Sequence, residues 1–507
     1  MAMESEDSLS SRIATLVHAH FDALPARSKP IIRSNGTREW TPMSGIVIVR
    51  GQNTTSETLT CVAVTSGAKC LSASQIPYCK GLVLHDLHAE ILAVRAFNYW
   101  LLSECQSFLA AERNQSTDLP KSPSGHSPYI RRHQNRSVSD PPFELHPDLK
   151  IYMYCTCAPC GDASMELCMA SQDDATPWEI ETSDAELTPT SSSHTGTLLD
   201  GRGFFSRLGI VRRKPARADA EPTRSKSCSD KLALRQVSSL LSYESSLLVA
   251  TTKNAYLEGV ILPEEEISQV ACERAFSERG RMRELAGRFW STRSGIADPL
   301  QSELLYGYRF RPFQIISISS ALLESLWKYK KNSLTSAGSL EPAKQAKPSV
   351  VSAIWVIAPS CSANNGTKSL SMPHGSKTGL YETILNGVKQ GSRAYEPTAR
   401  GASALSRAKM WGLLRDIVLS GCSVQKWTSD GGESNTGGAP LDEVFQRIVR
   451  ASSYREFKKY PGVATKSISA REKAIQDTKD VLEGWVPNSG DESWDLSVLA
   501  NPPKKNR

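Results

Sequence analysis

The feature that most constrains the fold is the alternation of short β-branched segments with longer segments of helical pattern. Residues 45–49 and 58–64 have the β-branched composition that is typical of strands. Residues 86–111 carry a long, strongly apolar helical pattern, and a buried strand is predicted over 149–156 and a helix over 163–169. Further strands are predicted at 246–252, 259–262 and 353–359, and further helices at 404–419 and 466–483. Strands interleaved with helices predict an α/β sandwich.

Four stretches rich in small, polar and proline residues interrupt this pattern, namely 112–147, 172–200, 331–349 and 428–440. Such composition buries too little apolar surface to offset the entropy lost on ordering, so these stretches are predicted to be surface loops. We expect a single domain over 29–497 that carries them as inserts. A polar N-terminal tail over 1–28 and a basic tail over 498–507 would flank it.

The distribution of apolar residues and the number of cysteines indicate where in the cell the protein is expected. No run of 18 apolar residues occurs, so no membrane span is predicted. The N-terminus MAMESEDSLSSR is polar and lacks the apolar centre of a signal peptide. We therefore expect an intracellular protein, in the cytoplasm or the nucleus or both, whose 12 cysteines are mostly reduced. In such a chain a cysteine cluster indicates a metal or catalytic site before it indicates disulfides.

The charge of the chain is unevenly distributed. The net charge of +7 is too mild to indicate nucleic-acid binding by itself. Residues 202–235, however, hold ten basic and three acidic residues, so this segment alone carries an excess equal to the whole net charge. A concentrated basic stretch is a candidate phosphate-binding surface. It could grip RNA, hold a polyanion or be a flexible basic linker.

Three short motifs concentrate the residues that carry chemistry. His88 and Glu90 lie in HDLHAE, Cys160 in PCGDA and Cys228 in SCSDK. One histidine and two cysteines form a suitable ligand set for catalytic zinc, with water at the fourth position. The metal brings the pKa of that water near neutrality, which makes hydroxide available. Glu90 follows His88 on the same helical turn and would move a proton from the water to a leaving amine.

Each motif taken alone has a plainer interpretation. A His-x-Glu pair is common by chance, and a histidine in an apolar segment is usually packed or solvated. Cys155 and Cys157 could join Cys160 in a cysteine-rich zinc knot, but strand alternation favours core positions for these two. Zinc deaminases in general carry Pro-Cys-x-x-Cys, whereas Ala163 stands at the second cysteine position here. The third ligand would therefore have to be Cys228.

Taken together, the motifs at 88–90, 159–163 and 227–231 resemble those of the editase-type adenosine deaminases, in particular the members that act on tRNA. Three separated motifs in the right order are far more specific than any one of them. The resemblance extends from about residue 29 to residue 495, interrupted by the inserts. Supporting segments are 29–30, 33–36, 39–41, 69–70, 212–215 and 386–391.

The resemblance implies a fold and a reaction. The fold would be a cytidine-deaminase-like three-layer α/β/α sandwich with a mixed sheet, extended by a C-terminal editase-type region. The reaction would be the zinc-dependent hydrolytic conversion of adenosine to inosine in tRNA, at adenosine 37 of alanine tRNA. His88, Cys160 and Cys228 would hold zinc, and Glu90 would shuttle protons for a metal-bound hydroxide. The adenine would leave the stack of the anticodon loop to enter the pocket, and no obligate protein partner is expected.

The family also buries an inositol hexakisphosphate behind the zinc site, and a buried polyanion needs cationic donors from separate segments. The matching positions here are Arg95, Lys231, Lys389, Arg407, Tyr454, Lys458 and Trp485. Asp86 and Lys214 match a polar relay between this ligand and the metal. Lys69 and Arg217 are expected to contact the RNA, with Arg212 as an alternative to Arg217. The plainer interpretation is that each of these residues is a solvated surface group.

The chain departs from the family at several places that concern this ligand, which include the stretch 237–242 and the spacing between Lys458 and Trp485. Val94 stands where an arginine often precedes Arg95, and Leu234-Arg235 replaces a common Arg-Trp pair.

Two other classes of function remain open. An editor of double-stranded or messenger RNA would use the same chemistry, but it usually depends on appended RNA-binding domains. A non-catalytic RNA-binding protein would hold zinc structurally with a fourth protein ligand, for which His85 or Cys157 are the candidates. That arrangement would leave Glu90 without a role.

Overall fold

A computed structural model describes the chain over residues 8–35, 37–114, 127–133, 139–171, 207–214, 221–292, 306–331, 346–360, 379–422, 441–459 and 465–500. The inserts predicted at 172–200 and 428–440 lie outside these residues. No helix within the described ranges is both long enough and apolar enough to cross a bilayer.

The helices and strands follow the predicted alternation. The helices are α1 (Leu9–Asp22), α2 (Ala89–Asn114), α3 (Met165–Ala170), α4 (Cys228–Ser238), α5 (Tyr243–Ser246), α6 (Gln269–Phe276), α7 (Ser320–Leu326), α8 (Arg407–Cys422), α9 (Leu441–Arg450), α10 (Tyr454–Lys458) and α11 (Lys466–Val481). The strands are β1 (Glu39–Trp40), β2 (Met43–Arg50), β3 (Thr58–Ser66), β4 (Ile130–Arg132), β5 (Phe143–Leu145), β6 (Leu149–Cys155), β7 (Leu257–Pro263), β8 (Phe289–Ser291), β9 (Gly307–Arg309), β10 (Gln314–Ile318), β11 (Lys347–Pro348), β12 (Val351–Ile357), β13 (Gly379–Leu385) and β14 (Val388–Lys389).

An eight-stranded sheet in the order β10-β7-β6-β2-β3-β12-β13-β14 forms the centre of the molecule. β6, β7 and β10 run parallel to one another, and the other neighbouring pairs are antiparallel. The sheet is therefore mixed, which confirms the predicted α/β class.

Both faces of the sheet are covered by helices. Along β2, Ile46 and Ile48 pack into the core on the α2 side, whereas Val47 and Val49 pack with residues of α1 on the other side. This alternation is the period of two that a strand buried on both faces requires. The result is the three-layer sandwich that the resemblance implies.

The first layer contains a helix that the sequence analysis missed. Residues 9–22 were predicted to belong to a polar tail, but they form α1, with Ile13, Val17 and Phe21 fully buried against the sheet. The Ser8 side chain accepts a hydrogen bond from the Ser11 amide and caps the helix. The prediction of a tail is wrong here because these three residues, together with Ala14, form one apolar face that outweighs the polar residues between them.

Three other predictions need correction. Parts of the 112–147 insert are ordered, since β4 and β5 pair and Ile130 and Phe143 are fully buried in the core. The strand predicted at 246–252 is instead the end of α5 and a buried turn that makes a single bridge from Val249 to Phe143. β11 lies within the 331–349 insert, and Leu499 of the predicted basic tail packs against the core.

The C-terminal region packs over the edge of the sandwich where the motifs meet. α8 lies against α2, and α11 lies against α4. α2 and α4 begin at Ala89 and Cys228, so the two helices present their N-termini beside the end of β6.

Candidate metal centre and the cation cluster behind it

Each candidate metal ligand lies where a helix or a helical turn begins. His88 directly precedes α2, and its amide donates to Asp86 Oδ1 at 3.0 Å. Cys228 is the first residue of α4, which Ser227 caps by accepting a hydrogen bond from the Asp230 amide. Cys160 precedes Gly161, whose φ of 104° is a conformation that favours glycine. The local turns therefore aim all three side chains at one point.

The three side chains converge with the separations that one zinc ion requires. His88 Nδ1 lies 3.7 Å from Cys160 Sγ and 3.5 Å from Cys228 Sγ. Two ligands at ordinary Zn–N and Zn–S bond lengths and a tetrahedral angle would be about 3.6 Å apart. All three ligand atoms lie within 4.8 Å of one another. The donor set and its spacing thus fit zinc.

The protonation of Cys160 is shifted toward metal binding, whereas that of His88 is shifted away from it. A hydrogen bond from the Cys228 thiol, helped by Lys214 and His88, holds the pKa of Cys160 well below its usual range. Burial alone would lower the pKa of His88, but the Cys160 thiolate raises it to about 10. Without a metal, therefore, the proton of His88 compensates the thiolate charge. A bound zinc ion would displace that proton and take its place electrostatically.

Glu90 lies directly beside the three candidate metal ligands. Its Oε2 is 3.4 Å from Cys228 Sγ, and the residue is only 4% exposed. Burial raises the pKa of this carboxyl above its ordinary value. A carboxyl group whose pKa is raised toward neutrality can both accept and return a proton, as an acid–base residue must.

A buried relay of charges connects the centre to the region behind it. The Lys214 ammonium donates to Asp86 Oδ2 at 3.0 Å and to Cys228 Sγ at 3.4 Å. Lys231 donates to the same Asp86 oxygen from the other side. Asp86 and Lys214 thus contact each other, and Lys214 also reaches one candidate metal ligand. Each of these two charges is neutralised by the other, as a charge in a buried site must be.

Five cationic side chains gather behind the relay. Arg95, Arg407 and Lys458, which the sequence analysis predicted, all act on the pKa of Tyr454 or of the buried carboxylate Glu244. Lys458 Nζ lies 3.5 Å from Glu244 Oε1. Arg235 and Arg471 join them, and burial with repulsion from Arg471 lowers the pKa of Arg235 to about 10. We call Arg95, Arg235, Arg407, Lys458 and Arg471 the cation cluster.

Arg235 and Arg471 were not predicted from the sequence as ligand residues. Arg235 stands one position after the place where the family often has its arginine. Both guanidinium groups donate to the Leu241 carbonyl oxygen, at 2.9 and 3.3 Å. The departure at Leu234-Arg235 was the available signal, since a neighbouring arginine can replace the missing one from the next position along α4.

Other predicted residues have mixed outcomes. Trp485 packs at the edge of the core, with the Lys226 ammonium 5.3 Å from its ring. Lys389 instead lies beside Glu382, at 3.8 Å, where Lys409 is its other charged neighbour. The structure therefore does not bring Lys389 to the cation cluster.

The residues predicted to contact RNA lie in different surroundings. Lys69 is half-buried on the segment whose carbonyl accepts the Leu87 amide, next to the metal centre. Arg212 is 1% exposed, so the suggestion that it faces RNA is wrong. Its amide donates to the buried Asp230 carboxylate, which holds this part of the chain inward. Arg217 lies outside the described residues.

The candidates for a fourth protein ligand lie elsewhere. Within the described residues, His85 groups with Cys79 and Asp491 and not with the metal centre, its Nε2 lying 3.1 Å from Asp491 Oδ2. Cys157 joins no such group in the same part of the chain.

Comparisons with known proteins agree with this geometry. Residues 63–303 match the adenosine-deaminase (editase) domain. The tRNA-specific adenosine deaminase 1 of Schizosaccharomyces pombe is 30% identical over 97% of this chain and 98% of its own length. The protein of the same name from Saccharomyces cerevisiae is 32% identical over 55% of this chain and 65% of its own. The double-stranded RNA-specific editase B2 of Mus musculus is 26% identical over 43% of this chain and 26% of its own. The resemblance inferred from the three motifs is confirmed, and the chain belongs to the adenosine-deaminase (editase) family of enzymes.

Proposed function

We propose that this protein catalyses the zinc-dependent hydrolytic deamination of adenosine to inosine in tRNA, at adenosine 37 of alanine tRNA. The observation that carries the proposal is the convergence of His88, Cys160 and Cys228 from three distant segments, with the Glu90 carboxylate 3.4 Å from one ligand sulfur. The similarity to a tRNA-specific deaminase along nearly the whole chain supports tRNA as the substrate.

The protein residues divide the chemical work. Zinc, when bound by His88, Cys160 and Cys228, lowers the pKa of a coordinated water. Glu90 accepts the proton that the water gives up and delivers it to the leaving amine of the adenine. The burial that raises the pKa of Glu90 lets it hold this proton between the two transfers. The target base has to be unstacked from the anticodon loop before its amine can reach this buried carboxyl.

The cation cluster supports the second cofactor, inositol hexakisphosphate. Five half-buried cations share the two carboxylates Glu244 and Asp491, so the cluster has an excess of positive charge. Phosphate groups would neutralise that excess through charge-assisted hydrogen bonds. Lys231 and Trp485 would border the same ligand, and the relay of Lys214 and Asp86 would couple it to Cys228. We leave Lys389 out of this ligand set because it pairs with Glu382.

Lys69 and Arg217 are proposed to contact the tRNA backbone. The position of Lys69 beside the segment that leads into His88 supports a contact near the target nucleotide. We further propose that the protein acts in the cytoplasm, the nucleus or both, where tRNA is available.

The test is inosine formation in unmodified alanine tRNA, read as adenosine-to-guanosine changes after reverse transcription. Glu90→Gln should abolish the change at position 37 and leave one zinc per chain, because the amide cannot carry the proton. Glu112→Gln, at the far end of α2, is the matched control and should retain activity. Activity retained by Glu90→Gln would exclude the proton shuttle. Inosine formed in a double-stranded RNA but not in the tRNA would replace the proposed substrate.

A further inference from the structure

Two buried carboxylates flank the proposed metal centre in the same way. Asp162 follows Cys160 by two positions, and Asp230 follows Cys228 by two positions. Both carboxylates are fully buried. Neither belongs to the proton path or the ligand set described above, so their burial calls for another explanation.

Asp162 is held by an arginine of α6. Arg274 Nε lies 3.1 Å from both carboxylate oxygens of Asp162, and its Nη2 donates to the Asp162 carbonyl oxygen at 3.0 Å. The same guanidinium also binds Glu166 of α3 at 3.0 Å. One planar group therefore fixes the turn that follows Cys160 through both its side chain and its backbone.

Asp230 is held by a second arginine from the same segment. Arg281 Nη1 donates to Asp230 Oδ1 at 2.6 Å, and its side chain is 4% exposed. The Arg281 amide donates to the Arg274 carbonyl oxygen at 2.9 Å. The chain can turn back toward Arg274 in this way only with glycine at position 280, because a Cβ there would overlap the Arg274 carbonyl oxygen. The turn after α6 thus joins the backbone of Arg281 to that of Arg274.

The same carboxylates also hold the segment that carries Lys214. Gly209 donates its amide to Asp162 Oδ1 at 2.8 Å, and Arg212 donates its amide to Asp230 Oδ2 at 3.0 Å. The two cysteine loops contact each other directly, because the Ser229 amide donates to the Cys160 carbonyl oxygen at 3.0 Å. Movement of either aspartate would therefore be transmitted to a sulfur ligand and to the relay lysine.

We propose that Arg274 and Arg281 are positioning residues that set the separation of the two cysteine ligands through Asp162 and Asp230. The inference rests on the zinc centre of the proposed function. Neither arginine touches the metal ligands themselves. Their role is to hold the turn after Cys160 and the first turn of α4 against one continuous segment, residues 269–281. Groups that orient metal ligands in this way commonly change metal affinity about 10- to 100-fold when they are replaced.

The experiment measures metal binding to the full chain carrying Arg274→Lys or Arg281→Lys. Lysine keeps the charge but loses the planar fork that spans two acceptors. We expect the zinc dissociation constant, from chelator competition, to rise about 10- to 100-fold in each variant. The visible spectrum of the cobalt-substituted protein should change as well, because it reports the geometry of the thiolate ligands. Arg279→Lys is the control, since Arg279 lies in the same segment with its side chain 87% exposed.

A second set of variants separates positioning from a loss of general stability. Asp230→Asn keeps the shape of the side chain and removes its charge. If Arg281 acts through Asp230, adding Arg281→Lys to Asp230→Asn should weaken zinc binding by less than it does in the native chain. Asp162→Asn combined with Arg274→Lys gives the same test for the other arginine. This pair replaces the first one if Arg281→Lys does not fold.

Two results would overturn the inference in distinguishable ways. Folded variants with native zinc affinity and an unchanged cobalt spectrum would remove the positioning role and leave the zinc centre intact. A native protein that binds no zinc at His88, Cys160 and Cys228 would remove the zinc centre and this inference with it.

Discussion

The carboxylate of Glu244 within the cation cluster allows a prediction in which protein stability and ligand affinity move in opposite directions. Glu244 lies in α5 and is 9% exposed at its side chain, with Lys458 Nζ 3.5 Å away. Glu244→Gln removes its charge with little change of shape. We expect the ligand-free protein to become less stable and the affinity for inositol hexakisphosphate to increase.

The size of the stability change follows from the pKa of Glu244. Burial alone would raise this pKa, but Lys458, hydrogen bonds and Arg95 lower it from 4.5 to about 2. At about 1.4 kcal/mol per pKa unit, the folded protein favours the charged carboxylate over a neutral group by about 3 kcal/mol. Glutamine stands in for the neutral form, so the ligand-free variant should lose up to about 3 kcal/mol at pH 7.

The pH dependence has a defined sign. Because the folded pKa is lower than the unfolded one, the contribution of Glu244 is present above pH 4.5 and is lost as the pH falls toward about 2. The difference in unfolding free energy between the native chain and Glu244→Gln should therefore shrink over that interval. Urea unfolding of ligand-free protein at several pH values measures it.

Inositol hexakisphosphate should stabilise the variant more than it stabilises the native chain. Phosphate groups are repelled by Glu244, so inositol hexakisphosphate should raise the melting temperature of Glu244→Gln more than that of the native chain. Glu472→Gln, at an exposed position next to Arg471, is the control. The reasoning is refuted if ligand-free Glu244→Gln is as stable as the native protein at pH 7, or if the ligand stabilises the variant less.

Two further predictions concern the metal centre. Lys214→Met removes a side chain that is 5% exposed and leaves Asp86 with Lys231 alone, so urea unfolding should show a loss of about 3 kcal/mol; a loss below about 1 kcal/mol would contradict the relay. Gly161→Ala should reduce zinc content, measured by elemental analysis, because its Cβ would overlap Ser227 between the two cysteine loops. Gly391→Ala, also at positive φ but in open space, should cost only about 1–2 kcal/mol and leave zinc unchanged.

Much of the fold could be predicted from local patterns, and the failures have a common cause. β2, β3, β6, β7 and β12 were found because buried strands carry runs of β-branched residues. α1 was missed because its polar residues were weighed as composition, whereas burial depends on which face of the helix they occupy. The segment 246–252 has strand composition, but its neighbours close it into a buried turn, and tertiary packing overrides such propensity.

The sequence by itself was enough to predict the chemistry that we propose for the centre. His88, Glu90, Cys160 and Cys228 are recognisable because short-range spacing places a ligand at the start of a helix or turn, and that geometry is local. Only the tertiary structure decided which cations face inward. Arg235 and Arg471 join Arg407 and Lys458 from distant segments, whereas Lys389 turns to Glu382. A charged residue in a half-buried cluster has the same local pattern as one on a solvated face, so the difference appears only when α4, α8, α10 and α11 are packed together.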